Sequence, residues 1–252
     1  MHEDFSILID TNALSRLSLY VDTCSCVEME LGTKWDDLNK KLCSKVNVED
    51  SIGSGNTKQI KQGYDLFHHL ITKKSEYNNV NIWFSAFSRV ELLNVFLERT
   101  FDKELTRNGV PFRIRLKKPL RTQIDFDYNT EVFEYWTKIR SELEKCDIEL
   151  MEPERQNGAV IDILSISDII TRYVALDVID LYLYASSIFI RANELYCHDI
   201  EFRGIVRNIQ KENGQKWGKI SKSIQNDLKD SFPWIKLEYD EKGMIALPEG
   251  NP

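Results

Sequence analysis

Four acidic residues of this 252-residue chain, Asp10, Glu91, Asp180 and Asp199, carry the chemistry worth following. Asp10 ends the aliphatic run Ile7-Leu8-Ile9, and Asp199 stands just past Leu195-Tyr196-Cys197. Glu91 and Asp180 open apolar helical stretches. In an α/β protein the ends of parallel strands and the starts of the following helices share one edge of the sheet, so the four are expected to converge there. Carboxylates held about 4 to 6 Å apart repel by a few kcal/mol per pair at an effective dielectric of about 20, unless a cation neutralises them. An all-oxygen set without a convincing His or Cys suits Mg²⁺ or Mn²⁺ better than zinc. The chemistry open to such a set is metal-assisted hydrolysis, with Asp10 the first choice for a direct ligand. Asn12 and Ser88 are placed to orient a carboxylate or a water beside it.

Each acid also has a plainer role. Asp10 can cap the first helix, although Thr11 and Asn12 offer themselves as caps for residues 13–20. Glu91 completes Ser88-x-x-Glu91, the signature of a capping box. Asp177 is read as the cap of the helix that contains Asp180, in preference to a metal ligand.

The elements that must position these residues follow from periodicity. Ile7-Leu8-Ile9 flanked by Phe5, and Ile82-Trp83-Phe84 with Val80, are short apolar strands of the kind buried in a parallel sheet, and residues 195–197 form a third. Helices are expected over residues 35–42, 57–74, 89–99 and 129–145, and as one or two short pieces over 161–170. In the helix opened by Asp177, Ile179, Leu183, Ser186 and Ile190 lie along one side. Residues 147–158, with Pro153 and Gly158, read as a linker. Beyond residue 204 come one or two amphipathic helices, then a terminal hairpin over 234–247. The expected fold is therefore α/β, a three-layer α/β/α domain over residues 1–204 with a central, mainly parallel sheet. A helical insertion occupies about 21–79, and residues 205–252 form an extension packed on the same domain. Gly53-Ser54-Gly55 lacks the Gly-Lys-Thr order of a phosphate loop and reads as a turn.

The chain is acidic, with a net charge of -7, which argues against broad affinity for polyanions. Residues 99–121 reverse the balance, and PFRIRLKKPLR alternates apolar and basic residues. Arg113, Arg115, Lys117 and Lys118 are the candidate contacts to nucleic-acid phosphates, against the plainer reading of a solvated face. Five cysteines form no even framework, and Cys24-x-Cys26 with His68 and His69 lacks the usual zinc spacing. No apolar run reaches the roughly 18 residues of a membrane span, and the N-terminus has no basic and apolar leader, which points to a cytosolic protein with no membrane partner.

The order ILIDTN, Ser88-Arg89-Val90-Glu91, Asp180 to Ala185 and Cys197-His198-Asp199-Ile200-Glu201-Phe202 resembles the pattern of the PIN-domain nucleases. The resemblance covers roughly residues 5–20, 80–99 and 129–202. It departs from the family at Cys197, where Thr or Ser is usual, and in the extra length at 21–81 and after 204. It implies a PIN-like fold and a metal-dependent endoribonuclease that uses Mg²⁺ or Mn²⁺ held by Asp10, Glu91, Asp180 and Asp199. The toxin of a toxin–antitoxin pair is one form of that activity. The partners it implies are an RNA substrate, an antitoxin or other protein, and a second copy in a homodimer.

Two other functions compete. A PIN-like module could bind RNA or protein without cutting. A magnesium-dependent phosphatase with an aspartyl nucleophile also opens on a strand ending in Asp, but it needs a second Asp where this chain has Asn12.

Overall fold

The computed structural model describes residues 4–45, 54–110, 128–210, 212 and 214–232. Arg113, Arg115, Lys117, Lys118 and the expected hairpin over 234–247 lie outside the described residues.

Four short strands form one all-parallel sheet: β1 (Phe5–Ile9), β2 (Val80–Phe84), β3 (Leu150–Met151) and β4 (Glu194–Tyr196), in the order β3-β2-β1-β4. The register sets Ile9 beside Phe84 and Tyr196. The two central strands therefore end level with β4, and the residues after them emerge together. β3 lies inside the stretch read as a linker, because two residues carry no periodicity to read.

Helices cover both faces, as parallel strands require. Phe5, Ile7 and Ile9 pack on one side with α1 (Thr11–Cys26), α2 (Trp35–Lys45), α3 (Ser54–Glu76), α4 (Ala86–Arg107) and α5 (Tyr128–Glu144). Leu8 and Leu195 point the other way, into α6 (Ala159–Thr171), α7 (Val178–Phe189), α8 (Ile200–Gln210) and α9 (Gly214–Ser231). Residues 161–170 thus fall within one helix rather than two. In the C-terminal part, Ile224 and Leu228 of α9 are buried in this second layer.

The stretch expected to be an insertion holds α2 and α3, and α3 packs tightly along α1. A Cβ on Gly63 would stand 2.0 Å from the Arg16 carbonyl oxygen, so only glycine permits this approach. Tyr20, buried between them, meets Tyr64 and Phe67 at ring distances of 5.7 and 5.6 Å.

Two helices start earlier than the sequence reading, each for a capping reason. Asp10, not Thr11 or Asn12, caps α1, its carboxylate accepting from the Ala13 N–H at 2.5 Å. Ser85 caps α4 through the Ser88 N–H at 3.0 Å, so the box expected between Ser88 and Glu91 does not start this helix. Glu91 consequently stands in the second turn. The same helix runs on to Arg107, and Arg99 turns inward to give a 2.8 Å hydrogen bond to Ser15 Oγ instead of joining an exposed basic run.

Candidate active site

Four helices begin at the carboxyl edge of the sheet, and their caps and first two turns supply the acids. Asp10 caps α1 and is only 5% exposed. Asp177 caps α7 as expected, accepting from the N–H groups of Ile179 and Asp180 at 2.9 Å. Asp199 caps α8, with its Oδ1 accepting from the Phe202 N–H at 2.8 Å. Asp180 occupies the first turn of α7, and Glu91 lies one turn into α4. Helix starts favour negative charge, which offsets part of the repulsion among these groups.

The acids line one cleft of about 150 Å³ with Thr11, Asn12, Ser88, Ile179 and Leu183. All four expected acids are therefore brought together, with Asn12 and Ser88 beside them, and Asp177 joins as a fifth. The lining contains no Lys or Arg. Two other concavities, of about 290 and 630 Å³, are larger. Charge rather than volume distinguishes this one, because neither of the others gathers five acids.

Proton affinities report the crowding. The Asp180 carboxyl is pushed up to about 7, first by burial and then by the charges of Asp177, Asp199, Asp10 and Glu91. Burial raises Asp10 to about 6, with partial relief from the Cys197 thiol, the Ala13 and His198 N–H groups and the Arg16 guanidinium. The His198 N–H reaches Asp10 Oδ2 at 3.4 Å. Cys197, at the place where the resemblance leads one to expect a hydroxyl, is buried, and its sulfur accepts from the Asp199 N–H at 3.2 Å. It supports two of the acids from beneath.

Several side chains near the acids were not singled out from sequence. Arg16 is the cation that acts on Asp10, one and a half turns into α1, where nothing in the local pattern marks it. Thr11 ties α1 to α4 by a 3.4 Å hydrogen bond from its hydroxyl to the Ser88 carbonyl. Ile179 was expected on the buried side of α7, but it lines the cleft and is 36% exposed. Beside it in sequence Val178 is 75% exposed, and Ile200, next to Asp199, is 81% exposed. With Phe87 and Val90 of α4, also exposed, they set apolar surface next to the acids. Ordinary core periodicity had hidden that surface, because exposure at a helix start does not follow the helical stripe.

The donor set is hard and anionic, with five carboxylates and no Lys or Arg in the lining, so the residues fit Mg²⁺ or Mn²⁺ by chemistry. Among the described residues no three His, Cys, Asp or Glu side chains form a closed metal-ligand cluster. The five acids are spread around the cleft, as like charges without a counterion should be. The Cys24, Cys26, His68 and His69 set forms no metal group either, and the five cysteines are free thiols. Also among the described residues, no helix is long and apolar enough to cross a membrane. No protein-family model, no curated protein and no solved structure matches the chain.

Proposed function

We propose that the acidic cleft is the catalytic centre of a metal-dependent nuclease with a PIN-like fold, hydrolysing phosphodiester bonds in RNA. The observation that carries the reading is the gathering of five acids, with no Lys or Arg in the lining, in one cleft at the carboxyl edge of a parallel sheet, a crowding that helps to raise the Asp180 carboxyl to about 7. The order of motifs shared with the PIN-domain nucleases points the same way.

In this reading Asp10, Glu91, Asp180 and Asp199 hold Mg²⁺ or Mn²⁺, and Asp177 remains a helix cap that adds to the negative field. A divalent ion there supplies positive charge that lowers the pKa of a water and stabilises the departing oxygen. Asp10 is held for that task by the Ala13 and His198 N–H groups. Asn12 and Ser88 present polar groups that orient the attacking water or the phosphate. Arg16 lies on the Asp10 side, where its charge attracts the polyanion. Phe87, Val90, Val178 and Ile200 offer apolar surface to unstacked bases, which favours a single strand over a duplex.

The test is cleavage of mixed RNAs and single-stranded DNAs by the purified chain with Mg²⁺, with Mn²⁺ and with chelator, beside Asp10→Asn and Asp180→Asn. Asparagine still caps a helix, so Asp10→Asn should fold and lose at least about a hundredfold in rate. Cutting that persists in chelator or in both variants would overturn the proposal. RNA binding without cutting under every condition would leave the PIN-like binding module as the function.

A further inference from the structure

Glu154 is a buried acid outside the acidic cleft. Both of its carboxylate oxygens and the Tyr182 hydroxyl are sealed from water, and none of the three makes a well-formed hydrogen bond among the described residues. Burial, with a smaller push from the Glu152 charge, raises the Glu154 carboxyl above its ordinary value. The groups that act against this are its own N–H, the Ala86 N–H and the Tyr182 hydroxyl. A sealed carboxyl so loosely satisfied costs stability, and a fold that keeps one has a use for it.

Its place in the fold supplies that use. Glu154 lies in the 3₁₀ turn Pro153–Arg155 that leaves β3, Ala86 is the first residue of α4, and Tyr182 follows Asp180 on α7. The first N–H groups of a helix have no partner within it and attract negative charge. Ser85 takes the Ser88 N–H, which leaves the Ala86 N–H to Glu154. The same stretch grips α4 a second time, through the 2.9 Å ion pair of Glu152 with Arg89. Beside it Tyr182 packs on Phe87, with ring centres 4.4 Å apart. The turn after β3, the start of α4 and α7 thus meet at one side chain. The two helices carry Glu91 and Asp180, which line the cleft and repel each other.

We infer that Glu154 is a positioning residue for the metal site: through the Ala86 N–H and the Tyr182 hydroxyl it holds α4 and α7 together against the repulsion between Glu91 and Asp180. The inference rests on the metal-dependent chemistry proposed above. Glu154 itself touches neither ion nor substrate, since its oxygens are sealed and it does not line the cleft.

Calorimetric titration of Mn²⁺ into the full chain, beside urea midpoints, tests it with Glu154→Ala, Glu154→Gln and Tyr182→Phe. Glutamine keeps an oxygen for the Ala86 N–H, and alanine keeps none. Glu154→Ala should weaken Mn²⁺ binding at least about tenfold, whereas Glu154→Gln should stay within about threefold of the parent. Tyr182→Phe deletes one oxygen and leaves the ring against Phe87. It should weaken binding at least about threefold, and it carries the test if Glu154→Ala fails to fold. A merely structural Glu154 would lower the urea midpoint and leave Mn²⁺ affinity unchanged. The inference is overturned if a folded Glu154→Ala or Tyr182→Phe binds Mn²⁺ like the parent, or if glutamine loses as much as alanine. In those cases the parent still binds and the metal reading stands. A parent chain that binds no Mn²⁺ overturns that reading and this inference together.

Discussion

Two buried acids at opposite ends of one sheet live in opposite surroundings. Glu194 opens β4 beside Ile7 of β1 and is 5% exposed. His69 Nε2 of α3 stands 2.5 Å from one of its oxygens, and Lys73 Nζ stands 3.8 Å from the other. Asp10, equally buried at the far end of β1, forms none of the ion pairs seen among the described residues and faces a cleft lined with other acids. The chain can therefore supply a cation and a ring nitrogen to a buried carboxylate, and it does so where the carboxylate only joins α3 to the sheet. At the carboxyl edge it gathers five acids instead. Such a cluster lowers stability, and a fold keeps it where binding a cation compensates.

The largest effect should come from breaking the paired end. Glu194→Ala leaves His69 without its partner and Lys73 with Glu76 alone, at a cost of about 3 kcal/mol, the low end for a broken buried pair because Lys73 keeps Glu76 and His69 stays partly solvated. Asp180→Asn at the clustered end should cost nothing in the metal-free protein, or should stabilise it, since a repelled charge has gone. Urea midpoints of the two variants measure both. A large loss in Asp180→Asn would mean that its carboxylate is structural, and the contrast between the two ends would disappear.

A divalent cation should sharpen the contrast. At an ion concentration about a hundredfold above the dissociation constant, the parent chain gains about 2.7 kcal/mol. Asp10→Asn and Asp180→Asn should lose most of that gain, whereas His69→Gln, at the other end of the sheet, should keep it. Melting curves with Mg²⁺ or Mn²⁺ and with chelator separate these cases. An equal gain in all three variants would place the ion elsewhere.

Much of this contrast is legible in the sequence, and what is not has physical causes. Short apolar runs, Ile7-Leu8-Ile9 and Ile82-Trp83-Phe84, mark β1 and β2, and topology alone sends Asp10, Glu91, Asp180 and Asp199 to one edge. Asp177 is recognisable as a cap because it precedes an apolar helix with nothing better placed. Ser85 is not, since two serines three residues apart both suit the role and only the backbone path selects one. Arg16 and Arg99 were missed as individual groups for another reason. A basic residue on an amphipathic helix looks solvated until the neighbouring helix is in place, and here α3 closes over the Arg16 backbone while α1 meets Arg99. The pairing of His69 with Glu194 spans 125 residues, a distance over which periodicity carries no information.

The smallest effect is on pH dependence, and its sign is opposite to that of an ordinary ion-paired acid. Asp10 and Asp180 hold their protons more tightly folded, at about 6 and about 7, than at the ordinary value of 3.8. Between pH 4 and 7 the folded chain thus binds more protons than the unfolded chain, so these two groups make the metal-free protein less stable as pH rises through that window. His198 opposes them. Burial and the charges of Arg16 and Arg203 bring it down to about 4, so its contribution to stability grows as pH rises from 4 to 6.5. The difference between the parent and Asp180→Asn cancels the histidine and isolates the acid. That difference should widen in favour of the variant from pH 5 to pH 7.5, by about 1 kcal/mol once solvent screening of the half-buried carboxyl is allowed for. Saturating Mg²⁺ should erase it in the parent, because a bound cation makes the ionised form the favoured one. A difference that stays flat with pH would show that Asp180 ionises as a solvated acid does, and the crowding on which the nuclease reading rests would be gone.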